Sequence, residues 1–172
     1  MKTISLTQNK FALDVSEMNA EDWILTFELD LIHPVSVVIE RSLTKLKSQR
    51  KFNIKDIIKE IETDANTEKE TKNAAVGLFE AAQTWGVFSE TGEDATQIEN
   101  LVTAGTTTIL DLSVYNSVGT FNIRALIISL VSRKLFNQRM SSRKKEETQS
   151  VARGLDYLSA VDKREFPLVW IF

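Results

Sequence analysis

Ile123-Arg124-Ala125-Leu126-Ile127-Ile128-Ser129-Leu130-Val131-Ser132-Arg133-Lys134-Leu135-Phe136 has helical spacing. Ile123, Leu126, Ile127, Leu130, Val131 and Leu135 fall on one face, and Ala125 and Ile128 widen it until the helix starting near Asn122 is apolar nearly all round. Such a helix should be buried on more than one side. Two prolines and six glycines in 172 residues are few for an all-β protein, which needs a turn about every ten residues. Helices should therefore dominate.

Downstream the helix turns basic, with Arg133, Lys134, Arg139, Arg143, Lys144 and Lys145, before Glu146 and Glu147 end the run. Residues 148–166 are polar and suit a loop or a short helix around Val151 to Val161. Pro167 then introduces Leu168-Val169-Trp170-Ile171-Phe172, five apolar residues without alternation, the pattern of a strand buried on both faces. Upstream, Thr106-Thr107-Thr108-Ile109-Leu110-Asp111-Leu112-Ser113 follows Gly105 and is rich in β-branched residues, so it reads as a strand with Asp111 near its C-terminal end.

Three helices are expected before this strand. After Pro34, a favourable first helical residue, Val35, Val38, Ile39, Leu43 and Leu46 share one face and the helix should run to about Gln49. Asn53 can cap a second helix whose Ile54, Ile57, Ile58 and Ile61 oppose Lys55, Asp56, Lys59 and Glu60. Ala75, Leu78, Phe79, Ala82 and Trp85 form a third apolar face, ended by Gly86. Residues 1–30 look extended: Ile4-Ser5-Leu6 and Phe11-Ala12-Leu13-Asp14-Val15 alternate about Gln8-Asn9, as in a small hairpin or two edge strands.

A hydrophobic content of 42% with 26% charged residues suits a packed core and excludes disorder and collagen. The absence of cysteine excludes disulfides, cysteine-based zinc sites and thiol nucleophiles. The N-terminus lacks the apolar stretch of a signal peptide and no apolar run is long enough to span a bilayer, so a cytoplasmic protein with no membrane segment is expected. The net charge of −3 divides unevenly, with −4 over residues 1–30, −3 over 31–100 and +4 over 101–172. A partner with phosphates could use the positive end.

Few residues suggest catalysis. Neither G-x-x-x-x-G-K-[ST] nor G-x-G-x-x-G is present, so nucleotide binding by these residues alone is not expected. His33, the only histidine, precedes Pro34 at a helix start and reads as a cap rather than a triad member. Asp14 with Asp30, or Glu60 with Glu62 and Asp64, have no selective spacing and read as solvated helix faces. Asp111 is more suggestive, because strand C-termini in open α/β sheets face the ligand crevice, although a loop-fixing acceptor is the plainer role. The six cations between Arg133 and Lys145 exceed what a helix C-terminus needs, leaving open a nucleic-acid or subunit contact beside a solvated helix end.

In their order, Trp85-Gly86-Val87-Phe88, then Gly105-x-Thr107-x-Ile109-Leu110-Asp111-Leu112-Ser113, then Ile123 to Asn137-x-Arg139, then Pro167 to Phe172, resemble the HerA-like archaeal DNA translocases of the HerA/FtsK ATPase superfamily. The match covers the last half of the chain closely and the earlier helices loosely. It implies an α/β fold: a partial P-loop-type ATPase core, mostly helices with a few parallel strands and a small N-terminal β element. Residues 1–172 would be one partial ATPase domain, with an extended segment at 1–30, a helical insertion-like region at 34–86, and core strands and the long helix at 105–172. Leu168, Val169, Trp170, Ile171 and Phe172 would be the Walker B strand without its acids, and the phosphate-binding loop would lie upstream.

The resemblance further implies a role in DNA repair, ATP and Mg²⁺ as cofactors of the full-length protein with none for this chain alone, and DNA, a NurA-type nuclease and a hexameric ring as partners. Asp111 would face the nucleotide side, Arg124 and Arg133 could contact an adjacent subunit, and Arg139, Arg143, Lys144 and Lys145 could contact DNA or a subunit. The expected reading is an internal, catalytically incomplete piece of a translocase motor, with exposed apolar surface and a tendency to associate. The alternative is a small non-enzymatic helical interaction or nucleic-acid-binding protein using Arg133 to Lys145.

Overall fold

The computed structural model describes residues 2–5, 11–48, 51–97, 101–102, 107–112 and 123–152. The chain is mostly helical, and each expected early helix forms for the reason its spacing gives. α2 (Pro34–Leu46) starts with Pro34 in its first turn, and His33 Nδ1 accepts from the Val35 N–H at 3.2 Å. The lone histidine is thus a cap. Val35, Val38, Ile39, Leu43 and Leu46 are all buried. α3 (Ile54–Thr63) has a reciprocal cap: Asn53 Oδ1 accepts from the Lys55 and Asp56 N–H groups, while Asp56 Oδ2 accepts from the Asn53 N–H at 2.9 Å. Such a cap stabilises a helix by about 1 kcal/mol. α4 (Lys69–Gln83) buries Ala75, Phe79 and Ala82, and beyond it Gly86 sits at φ +67°, the left-handed region glycine enters at least cost.

The first thirty residues differ from the extended segment expected of them. Val15–Glu17 is a turn of 3-10 helix whose N-cap Asp14 accepts from the Ser16 N–H at 2.8 Å. α1 (Ala20–Thr26) follows, and Asp22 Oδ2 accepts from the Asn19 N–H at 2.8 Å to form its capping box. At its C-terminus the Leu29 N–H donates to Ile24 C=O and the Glu28 N–H to Leu25 C=O, a Schellman motif that places Glu28, not glycine, at φ +55°.

Among the described residues no N-terminal hairpin is seen, and Leu6 and the expected Gln8-Asn9 turn lie outside them. β1 (Lys2–Ser5) pairs parallel with β2 (Thr108–Asp111), Lys2 opposite Thr108 and Ser5 opposite Asp111. Leu13 instead bridges Phe88, its N–H donating to Val87 C=O at 2.8 Å and its C=O accepting from the Ser89 N–H at 2.9 Å. The reason is burial: a lone two-stranded hairpin is marginal in water, whereas this route takes Phe11, Leu13 and Val15 into the core beside Val87. The strand expected at 106–113 is thus present over Thr108–Asp111 and has a partner from the far end of the chain.

The centre of the core is aromatic. Trp23 of α1 meets Phe79 of α4 with ring centroids 4.9 Å apart, and Phe27 meets Phe79 edge-on at 5.4 Å. Phe88 lies 5.3 Å from Trp23. Trp23 is fully buried, and its Nε1 finds no hydrogen-bond acceptor among the described residues. α2 packs on α1, α3 and α4, and α3 on α4.

α5 (Ile123–Ala152) is 30 residues long, about 45 Å at 1.5 Å per residue. Ile123, Leu126, Ile127, Leu130 and Leu135 are buried. Among the described residues the helix is not buried on more than one side: Ile128 is 52% exposed and Ala125 is also exposed. The helix continues through the basic run to Ala152, beyond the point where a polar loop was expected to begin. The rest of 148–166, together with Leu168 to Phe172, lies outside the described residues. Among the described residues no helix is long and apolar enough to cross a membrane.

Candidate functional site

Two places follow from the sequence, the end of β2 and the surface of α5. Asp111 is the last residue of β2, opposite Ser5 and half-buried. It therefore sits at the strand terminus its sequence position suggested. Arg124 is exposed in the first turn of α5, beside the buried Ile123 and Leu126.

Arg133 has a different role from an exposed contact. Its Nη1 and Nη2 donate to Asp22 Oδ1 and Oδ2 at 2.8 and 2.7 Å, a bidentate pair joining α5 to α1. The Asp22 side chain is only 8% exposed and that of Arg133 32%. The hydrogen-bonded carboxylate raises the guanidinium's affinity for its proton above the ordinary value, against the opposing effect of burial. One carboxylate thus caps α1 through Asn19 and clamps α5 through Arg133. Lys134 beside it pairs with Glu17.

The later cations are also engaged. Arg139 reaches Glu146 at 2.9 Å, and Arg143 pairs with Glu147 one helical turn on, at 2.9 Å. The two glutamates that close the basic run therefore hold two of its arginines and help the helix persist through it. Lys144 and Lys145 are exposed. Arg133, Lys134, Arg139 and Arg143 of this run thus have carboxylate partners, and the phosphate-attracting field of the run is weaker than its composition suggests.

Not all the acidic residues read as solvated are so. Asp64, 3% exposed, pairs with Arg41 at 2.7 Å. It also accepts from the Thr67 hydroxyl and the Asn66 N–H, and these bonds, Thr67's first, with Arg41 hold its carboxyl down to about 2. Asp14, also buried, is a cap. These carboxylates fix turns.

Among the described residues no three His, Cys, Asp or Glu side chains come together as a metal site. Among the described residues, shallow surface depressions include one of about 370 Å³ beside Glu62, Thr67, Lys69 and Lys72 and one of about 350 Å³ beside Asn19, Glu21, Glu40 and Lys47. Neither is lined by Asp111 or by α5. The partner of Arg133 was the residue sequence reading missed, although Asn19-x-x-Asp22 ahead of Trp23-Ile24 carries a capping-box signal. No family model, curated protein or solved structure matches the chain.

Proposed function

We propose that these residues form the interior of a HerA-type, ATP-driven DNA translocase motor domain, between its phosphate-binding loop and its Walker B acids. The observation that supports this most is the parallel pairing of β1 with β2, which ends at Asp111 and is followed in the chain by the long helix α5. Parallel strands with a helical crossover are the construction of open α/β nucleotide-binding sheets, whose ligands lie beyond the strand C-termini.

In this reading ATP and Mg²⁺ belong to the full domain, DNA and a NurA-type nuclease are its partners, and a hexameric ring is its assembly. The residues described here do not by themselves fit the nucleotide. They supply one strand-end carboxylate, Asp111, and among them no three His, Cys, Asp or Glu side chains come together, while the sequence holds no glycine-rich phosphate-binding motif, so no step of phosphoryl transfer is assigned to them. Arg133 acts as a positioning residue that ties α5 to α1, and Arg124 is the exposed arginine left for a neighbouring subunit.

The test is nucleotide binding by a version lengthened at both ends by its genomic flanks. ATP binding that appears with the flanks and is weakened by Asp111→Ala supports the reading; no ATP binding by the lengthened protein overturns it. The non-enzymatic alternative, DNA binding by Arg133 to Lys145, would give a salt slope of about −5 if all six cations met phosphates. The ion pairs of Arg133, Lys134, Arg139 and Arg143 favour the motor reading over it.

A further inference from the structure

Two exposed apolar features of opposite charge are present on this chain. On α5, Phe136 and Met140 are 65% and 49% exposed, and Lys144 follows them at the same four-residue step, so the three form one ridge. Between residues 133 and 147 the helix carries six cations and two carboxylates, a net +4, of which Arg133 and Lys134 are matched by Asp22 and Glu17 of the same chain, leaving a smaller excess of about +2. At the corner between α1 and α2, Leu25, Leu31 and Ile32 are 73%, 69% and 91% exposed. Residues 20–40 around them hold no lysine or arginine and, apart from the buried Asp22 that Arg133 already pairs, four carboxylates, Glu21, Glu28, Asp30 and Glu40, all exposed.

The corner is rigid. The Schellman bonds of Leu29 and Glu28 fix its first half, and Asp30 C=O accepts from the His33 N–H at 3.0 Å and from the Ser36 hydroxyl at 2.7 Å to fix its second. Leu31 and Ile32 are thus held in solvent by the backbone around them, with Glu28 in a left-handed conformation that a side chain disfavours. A preformed apolar corner loses little conformational entropy on docking.

We infer that the Phe136–Met140–Lys144 ridge of one copy docks against the Leu25–Leu31–Ile32 corner of a second copy. Charge selects this pairing. Ridge against ridge would bring two cationic segments together, and corner against corner two acidic ones, whereas ridge against corner matches opposite signs around an apolar centre. The contact joins two different surfaces, so each copy offers both halves of it. Neither nucleotide nor DNA enters the pairing, so failure of the lengthened protein to bind ATP would leave it standing, and a monomeric chain would leave nucleotide binding untested by it.

Sedimentation velocity of the full chain over a wide concentration range, at low and high salt, tests it. Association that weakens as salt rises is expected; a monomer throughout, or association that strengthens with salt, overturns the pairing. Two variants complete the test, F136S/M140S on the ridge and L31S/I32S on the corner, all at exposed positions. Each alone should melt as the parent does and remain monomeric, because it lacks one half of the contact. Mixed together they should form a two-copy species, the intact corner of one meeting the intact ridge of the other. Association of either variant alone as strong as the parent's, or a mixture that stays monomeric, overturns the inference.

Discussion

Replacing Arg133 by methionine should cost about 2 kcal/mol of folding stability. Methionine keeps much of the aliphatic stem in place and removes the two charge-assisted bonds to Asp22, at 2.8 and 2.7 Å. Breaking a fully buried pair costs about 3–5 kcal/mol because the remaining charge is stranded. Two features lower that figure. The Arg133 side chain is 32% exposed, so water reaches the pair, and Asp22 keeps its bond from the Asn19 N–H at 2.8 Å. At about 2–4 °C per kcal/mol for a chain of this size, the melting midpoint should fall by roughly 4–8 °C.

Urea and thermal unfolding, followed by circular dichroism at low protein concentration, measure this loss. A double-mutant cycle with Asp22→Asn should return a coupling of about 1.5 kcal/mol. Arg143→Met is the control, since its pair with Glu147 is 65% and 64% exposed and should be worth less than about 0.5 kcal/mol. A coupling below about 0.5 kcal/mol, or an Arg133 variant no less stable than the Arg143 one, would refute the clamp.

Three other outcomes follow from the fold. Glu28→Gly should stabilise by about 0.5–1 kcal/mol, because glycine enters the left-handed region without a Cβ clash, and Gly86→Ala should destabilise by about 1 kcal/mol for the converse reason; chemical denaturation gives both signs. Phe79→Ala should cost about 3–5 kcal/mol, whereas Trp23→Phe should cost much less, because the lost volume is offset by removal of a buried N–H that has no acceptor among the described residues. The Asp64 carboxyl is held near 2 in the folded chain against about 3.9 when unfolded. Its contribution is therefore complete above about pH 4 and lost as the pH falls through about 2; in Asp64→Asn that acid-sensitive part should be missing from the stability–pH curve.

The helices that could be read from the sequence carry their signals within a dozen residues of one another. Asn53 with the Ile54, Ile57, Ile61 repeat suffices for α3, and Pro34 with its apolar face suffices for α2. α1 escaped because seven residues are too few to show a period, although its capping pair was there to be seen. The partners of β1, Leu13, Arg133 and Lys134 lie about 75 residues or more away along the chain, and local pattern holds no information about such distances. The position of Asp111 at a strand end was legible; that Arg133 was already occupied by Asp22 was not. The apolar breadth of α5 misled for a related reason, since Ile128 widens the face in sequence but has no element packed over it among the described residues.

The pairing of β1 with β2 has a consequence for how the chain is made. Ser5 leaves the ribosome more than 100 residues before its neighbour Asp111, a delay of about 5–20 s at ordinary translation speeds. Asp22 waits for Arg133, 111 positions behind it. Throughout that interval α2, α3 and α4 can already assemble from local contacts, while β1 presents an unpaired edge to the cell. β1 is thus made well before its native neighbour, so a nascent chain stalled before β2 would leave the edge of β1 unpaired.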